Sequence, residues 1–297
     1  MKKTKANTIK HLGIIATILT AGLVTAACSN HDETLATYNG GKITTSDYLK
    51  EVKQTQAGKI AMQNMIIRQV LEKQYDDKIT TKQVNQEYQA YEKQYGQQFP
   101  TMLEQQGLNK QSFKNNIKST LLAQAALKDQ QKPTKKQEQT EWQKYQPAVT
   151  VQHILVTKKS TAEKIIKQLN NGANFNKLVK KYSLDTASVK DNGKLPAFDS
   201  LNNNLDPNFK AKALDLKPDH ITASPVKSTS GYHVIKCLKK EPKGSFKDHQ
   251  KAIDKEIYTE MAQDQTTMHN VISKALKKAG VKISDKDLNG VLDGYLK

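Results

Sequence analysis

Apolar residues change their spacing twice along this sequence, and that rules out a single repeating architecture. Over residues 38–127 they recur at helical intervals. Met62, Met65, Ile66 and Val70 fall on a helical period, and Thr80 with Gln83 forms a capping box that opens a helix to about Tyr95. Between residues 148 and 240 the period drops to two in Val149–Val156 and in residues 231–238, which read as strands; residues 161–170 and 173–181 read as helices between them. Beyond Pro242 and Gly244 the helical spacing returns. Ser245 and Asp248 cap a helix in which Ile253, Ile257, Met261, Met268 and Ile272 form one stripe reaching to about Gly280. A helix apolar on one side is not stable alone, so the N-terminal helices are the expected partner of that stripe.

The joins fall where composition shifts. Asn39-Gly40-Gly41 is a hairpin signal ahead of the first helical stretch. Residues 128–146 are rich in Lys, Gln and Glu, carry the single Trp142 and are broken by Pro133, with Pro147 following; they read as a polar connector, partly helical. The expected organisation is a leader over 1–27, an N-terminal helical region with its connector over 28–145, a unit of strands and helices over 146–242, and a C-terminal helical region over 243–297 packed on the first. The class is α+β, and about 270 residues after the leader suffice for two cores.

The leader sets the compartment. Lys2, Lys3, Lys5 and Lys10 lie in a stretch without acids, and residues 12–27 are apolar or small throughout. That run is shorter than the roughly 20 apolar residues of a membrane-spanning helix. Thr25-Ala26-Ala27-Cys28 and the polar residues after it form the arrangement a lipoprotein signal peptidase reads, so Cys28 is the expected lipidation site and new N-terminus. Thr25 stands where such sites usually have Leu or Val, and cleavage as an ordinary leader near Ala27 is the other reading. The expected location is the outer face of a cell membrane, held there by acyl chains on Cys28.

Charge and cysteine content narrow the partners. Residues 1–27 hold four of the 47 basic residues and none of the 29 acids, so removing them lowers the net charge from +18 to +14. The lysines are spread evenly and Arg68 is the one arginine; with export as well, nucleic acid is an unsuitable partner, and anionic wall polymers, anionic lipid or acidic clients fit better. Cys237 is the only cysteine besides Cys28, so no disulfide framework exists.

Candidate chemistry lies in the central unit. The strand period puts His153 on one face with Val151 and Leu155, and His233 with Ile235 and Cys237. Taken singly, each histidine reads better as a core residue satisfied by a backbone carbonyl than as a functional one. No third histidine or paired thiolate has metal-ligand spacing, so neither metal nor cofactor is expected. There is no nucleophile elbow, and Cys237 on a strand face reads as core.

The order of motifs goes further. His153-Ile154-Leu155-Val156, Gly172-Ala173-Asn174-Phe175, Tyr182-Ser183-Leu184-Asp185, Pro225-Val226 and Gly231-Tyr232-His233-Val234-Ile235-Lys236 closely resemble the signature of the parvulin peptidyl-prolyl isomerases over about 90 residues. With helical regions on both sides, a lipoprotein leader, and Tyr38-Asn39-Gly40, Ile43-Thr44 and Asp47-Tyr48 near the start, the chain resembles the PrsA foldase lipoproteins of Gram-positive bacteria. The resemblance implies a four-stranded antiparallel sheet with surrounding helices, inserted between N- and C-terminal segments of an all-helical chaperone domain. It places His153 and His233 as paired histidines at the floor of a proline groove and Asp185 at the acid or thiol position. Leu205 and Phe209 fall at the ring-holding positions, Ser228 and Ser230 at hydroxyl positions, and Phe198 at the aromatic that closes the pocket. For Leu205 and Phe209 the residues alone read as ordinary packing of a short helix. The implied partners are unfolded secreted chains containing X–Pro bonds.

One stretch departs from the pattern. Where parvulins read Gly-Gly-Asp-Leu-Gly, this chain has Asn192-Gly193-Lys194-Leu195-Pro196 before Ala197-Phe198. Lys194 reverses a charge and Pro196 replaces a glycine with a residue of fixed φ and no N–H. The expectation is a rebuilt loop and weak isomerase activity, with a non-catalytic chaperone built on a degenerate parvulin domain as the alternative. In that alternative Met62, Met65 and Met102 line a cradle for clients.

Overall fold

The computed structural model describes residues 32–202 and 204–297, so the leader and Cys28 lie outside the described residues. The chain divides into two compact units, one formed by the chain up to Lys132 together with Tyr258–Lys297, the other by Pro133–Ile257.

The first unit opens with an antiparallel hairpin, β1 (Thr34–Tyr38) and β2 (Gly41–Thr44), turning at Asn39-Gly40. Its N-terminal part is therefore helical only after this hairpin. Thr44 ends β2 and caps α1 (Thr45–Gln54), exchanging bonds with Asp47 in a capping box. Then follow α2 (Gln56–Tyr75), α3 (Thr81–Tyr95), α4 (Phe99–Gln105) and α5 (Lys110–Gln130). The capping box at Thr80 and Gln83 opens α3 where the sequence put it. Val84, Tyr88, Phe99, Leu103, Phe113 and Ile117 form a core between α3, α4 and α5, with edge-to-face rings at 5.3 Å (Tyr88–Phe99) and 5.5 Å (Phe99–Phe113).

The second unit starts inside the polar connector, whose middle is the helix α6 (Lys135–Lys144) with a Thr134–Gln137 capping box. A three-stranded antiparallel sheet follows in the order β3 (Val149–Val156), β5 (Tyr232–Lys240), β4 (Val226–Lys227). Both faces are covered, which is why β3 carries Val149, Val151, Ile154 and Val156 buried and buries Gln152 and His153 with them. On one face α7 (Lys159–Asn170) and α8 (Phe175–Tyr182) pack Ala162, Ile165, Phe175 and Val179 against Ile154, Val156 and Val234. After the short helix α9 (Thr186–Val189), α10 (Pro207–Asp215) covers the other face, where Phe209, Ala213 and Leu214 meet Val149, Val151, Ile235 and Cys237.

The sheet differs from the four strands expected. On the free edge of β3, the Lys194–Phe198 stretch contributes only isolated bridges, Gln152 to Lys194 and Val149 to Phe198. Pro196, lacking an N–H, sits between the donors Leu195 and Phe198, which bond to the carbonyls of Val151 and Val149. On the far edge, Ile221 bridges Lys236 before the chain bends through Pro225 into the two-residue β4, so one edge strand is split in two. The unit ends in α11 (Phe246–Gln263).

The expected single helix up to Gly280 is two helices. Asp264 takes an extended conformation and caps α12 (Gln265–Ala279) by accepting from Thr267 N–H at 2.7 Å, which ends α11 before it. Within the first unit, α12 buries Met268, Val271 and Ala275 against Leu71 and Tyr75 of α2 and Leu122 and Ala126 of α5. Ile272 and Leu276 join Leu288, Val291 and Leu292 in a further cluster ahead of α13 (Asp293–Leu296). Met62 supports this last cluster and Met102 supports the core of α3 to α5, so these two methionines serve separate cores rather than one cradle.

Candidate active site

Strand pairing brings the two histidines together. In the β3–β5 register His153 lies opposite Ile235 and His233 opposite Leu155, so the imidazoles are diagonal neighbours on one face. Their Nδ1 atoms are 3.1 Å apart and both rings are buried. His153 Nε2 is 2.8 Å from Asp185 Oδ2, at the start of α9, and His233 Nε2 is 2.7 Å from Ser228 Oγ. Ser228 Oγ also accepts from the Ser230 N–H at 3.1 Å. Gly231, at φ +146°, lets the turn between β4 and β5 close against the Val156 carbonyl and so delivers Ser228 to the ring.

Those contacts fix the direction of the chain of hydrogen bonds. The Asp185 carboxylate only accepts, so His153 carries its proton on Nε2 and offers the lone pair of Nδ1. His233 must then donate from Nδ1 and accept at Nε2, where the Ser228 hydroxyl donates. The tautomers are complementary and both rings are neutral. Burial pushes both histidines below their ordinary pKa. For His233 burial and then the neighbouring His153 bring it to about 4, whereas at His153 the bond and charge of Asp185 oppose the effect of burial. Burial works to raise the Asp185 carboxyl, but bonds from Ser188 and His153 outweigh it and hold the group below its usual value.

An aromatic floor lies against this pair. The Phe209 ring stands edge-on to both imidazoles, 5.6 Å from His153 and 5.0 Å from His233, with Phe198 at 6.3 Å beyond it. Asp206 sets that position: its Oδ1 accepts from the N–H of Asn208 and Phe209, capping α10 with Pro207 in the first turn. Leu205 is half-buried and packs against the same cluster. The structure thus gathers His153, Asp185, His233, Phe198, Leu205, Phe209 and Ser228. Ser230 joins through its backbone, and its side chain is exposed.

The departing loop keeps its support. The positive φ values lie at Asn192 (+52°) and Gly193 (+78°), upstream of Lys194 and Leu195, so proline at 196 costs this loop no left-handed position. The Gly193 carbonyl accepts from His153 N–H at 2.8 Å, and a Cβ on Gly193 would collide with the His153 carbonyl oxygen. Sequence reasoning missed Ser188. It is buried on α9, and its hydroxyl donates to Asp185 Oδ2 at 2.6 Å. The only signal was a serine three residues after the acid, which is common by chance.

A sheet flanked by helices with a buried histidine pair, an acid and an aromatic floor defines a parvulin-type peptidyl-prolyl isomerase domain. Residues 153–239 match the family described as Rotamase, PPIC-type PPIASE domain. The whole chain is similar to Foldase protein PrsA 1 of Lactobacillus johnsonii, 52% identical over 274 residues and 92% of each chain. Foldase protein PrsA of Latilactobacillus sakei is 47% identical over 273 residues, covering 91% of this chain and 89% of the relative. Among solved structures, foldase protein PrsA of Streptococcus pneumoniae aligns with a TM-score of 0.77 at 26% identity, over 89% of this chain and 100% of the other. The protein belongs to the PrsA foldase family and carries a peptidyl-prolyl isomerase domain.

Proposed function

We propose that this protein is a membrane-anchored, extracytoplasmic foldase that isomerises X–Pro bonds in secreted chains and shields those chains while they fold. The observation that carries the isomerase part is the continuous path Ser228–His233–His153–Asp185 lying against Phe209. Turning an X–Pro bond gives up amide resonance, a barrier of about 18–20 kcal/mol, and no bond is made or broken. In the twisted state the carbonyl loses partial charge and the proline nitrogen regains a lone pair, so an apolar seat for the ring and a fixed donor lower the barrier. Phe209, Leu205 and Phe198 supply the seat. Ser228, whose single hydroxyl proton goes to His233 Nε2, stands with His153, His233 and Asp185 as a fixed polar path beside that seat, orienting the groove rather than attacking the substrate. No metal or cofactor enters the reaction.

In this reading the isomerase unit is inserted between two segments of a chaperone domain, and the residues 194–198 are a degenerate fourth strand of the family sheet. Chaperoning is supported by Leu35, Tyr38, Ile43, Tyr48 and Leu49, large apolar side chains left exposed on the hairpin and α1. Lipid on Cys28 would hold the protein at the membrane, and loss of membrane retention in Cys28→Ala is the check on that anchor. Anionic wall polymers are fitting partners for a mature net charge of +14.

Proline-limited refolding and aggregation suppression, measured on the same preparations, test the functional reading. Phe209→Ala should lower isomerisation by up to about two decades, from roughly 3 kcal/mol of lost contact, and leave suppression unchanged. Thermal unfolding monitors the fold of the variant. Wild-type protein that suppresses aggregation without accelerating refolding would leave only the chaperone reading.

A further inference from the structure

One hydroxyl touches both the acid and a histidine of the site and has no part in the motif pattern. Ser188 Oγ donates to Asp185 Oδ2 at 2.6 Å and lies 3.2 Å from His153 Nε2, and the side chain is buried. Its carbonyl accepts from the N–H of Asp191 at 2.9 Å and of Gly193 at 2.8 Å. Gly193 in turn receives the His153 backbone N–H. Ser188 is therefore bonded through its side chain to the acid, and through its backbone to the loop that departs from the family pattern.

We infer that Ser188 is a positioning residue of the isomerase site, fixing the Asp185 carboxylate on His153 and, through the loop, His153 on its strand; the inference rests on the isomerase reading above. Asp185 needs such a partner because its side chain is about one quarter exposed (25%) and stands at the N-cap of a single turn of helix. Oδ2 accepts from both His153 and Ser188, and Oδ1 accepts from the Ala187 N–H at 3.3 Å. Three donors hold one rotamer. Without the hydroxyl, Oδ2 keeps one donor and the carboxylate can turn to water. His153 Nε2–H then loses its fixed acceptor, and nothing pins the proton to Nε2 instead of Nδ1. The direction of the whole path depends on that proton, including whether His233 Nε2 accepts from Ser228.

The test uses the full chain with 15N-labelled histidine rings. In wild type the spectra should show His153 protonated at Nε2 and His233 at Nδ1, each as a single tautomer. Ser188→Ala should mix the tautomers of both rings and lower kcat/KM by about three- to tenfold, mainly through kcat. The acid limb of its pH–rate profile should move to higher pH, because Asp185 loses a bond that favours its ionised form. Ser188→Thr, which keeps the hydroxyl, should restore ring pattern and profile. Wild-type rings in the opposite tautomers would overturn the inference whether or not the variants fold. So would a Ser188→Ala protein with unchanged rings and pH profile. Ring spectra do not require turnover, so an inactive wild type would count against the isomerase reading alone.

Discussion

His233 shows how a side chain common in cores becomes chemically specific. Alone on β5 it reads as a buried histidine. Opposite β3 it has one nitrogen on His153 and the other on Ser228, so each ring atom that can hydrogen-bond is assigned. Its folded pKa of about 4 lies well below the roughly 6.5 of an unfolded chain. Between those values the unfolded state binds the proton more readily, so stability is full above about 6.5 and falls as pH drops towards 4. His153 is depressed as well and acts in the same sense, while Asp185, also depressed, loses its contribution only at still lower pH. Guanidinium unfolding at pH 7, 5.5 and 4.5 should show this loss, and His233→Gln should flatten it; equal slopes for the two proteins would refute the assignment. The motif order singled out the two histidines, and the family resemblance pointed to Asp185, Phe198, Leu205, Phe209 and Ser228 beside them, whereas Ser230 meets the site only through its backbone N–H. Ser188 was not legible, because its role depends on a turn that only the folded loop defines.

At the scale of elements, the loop after α9 and the edge of β3 decide how the site is held. The sequence suggested that Pro196 and Lys194 would disturb this loop, because a proline for glycine exchange looks costly without knowledge of φ. The left-handed positions fall at Asn192 and Gly193 instead, and proline sits where no N–H is used. Gly193 is the sensitive position. Gly193→Ala should cost roughly 2–4 kcal/mol, combining positive φ with the collision against the His153 carbonyl. Denaturant unfolding measures it, and a loss below about 0.5 kcal/mol would mean the loop adapts freely. Helix ends were read well where a cap was written in sequence, as at Thr80–Gln83. The break at Asp264 was hidden, since an aspartate inside a continuing apolar stripe gives no local sign that it will cap a new helix.

At the scale of the molecule, the chain makes two units, and the first is built from segments that are far apart in sequence. Helix α12 closes the core of α2 and α5, so the C-terminal segment is structural for the N-terminal one. The second unit has its own two-faced sheet and both its hydrophobic clusters. A fragment of residues 133–257 should fold cooperatively with native amide protection, whereas residues 32–132 alone should not; an unfolded 133–257 fragment would show that its limits are misplaced. The sequence by itself determined the two changes of period, the strands β3 and β5, the paired histidines and the family, because alternation and motif order are local and one-dimensional. Only the tertiary structure decided the register that puts the two Nδ1 atoms 3.1 Å apart, the split edge strands and the bonds of Ser188. Those depend on backbone direction and on distant partners, 80 residues apart in the case of the two histidines, which no local pattern carries.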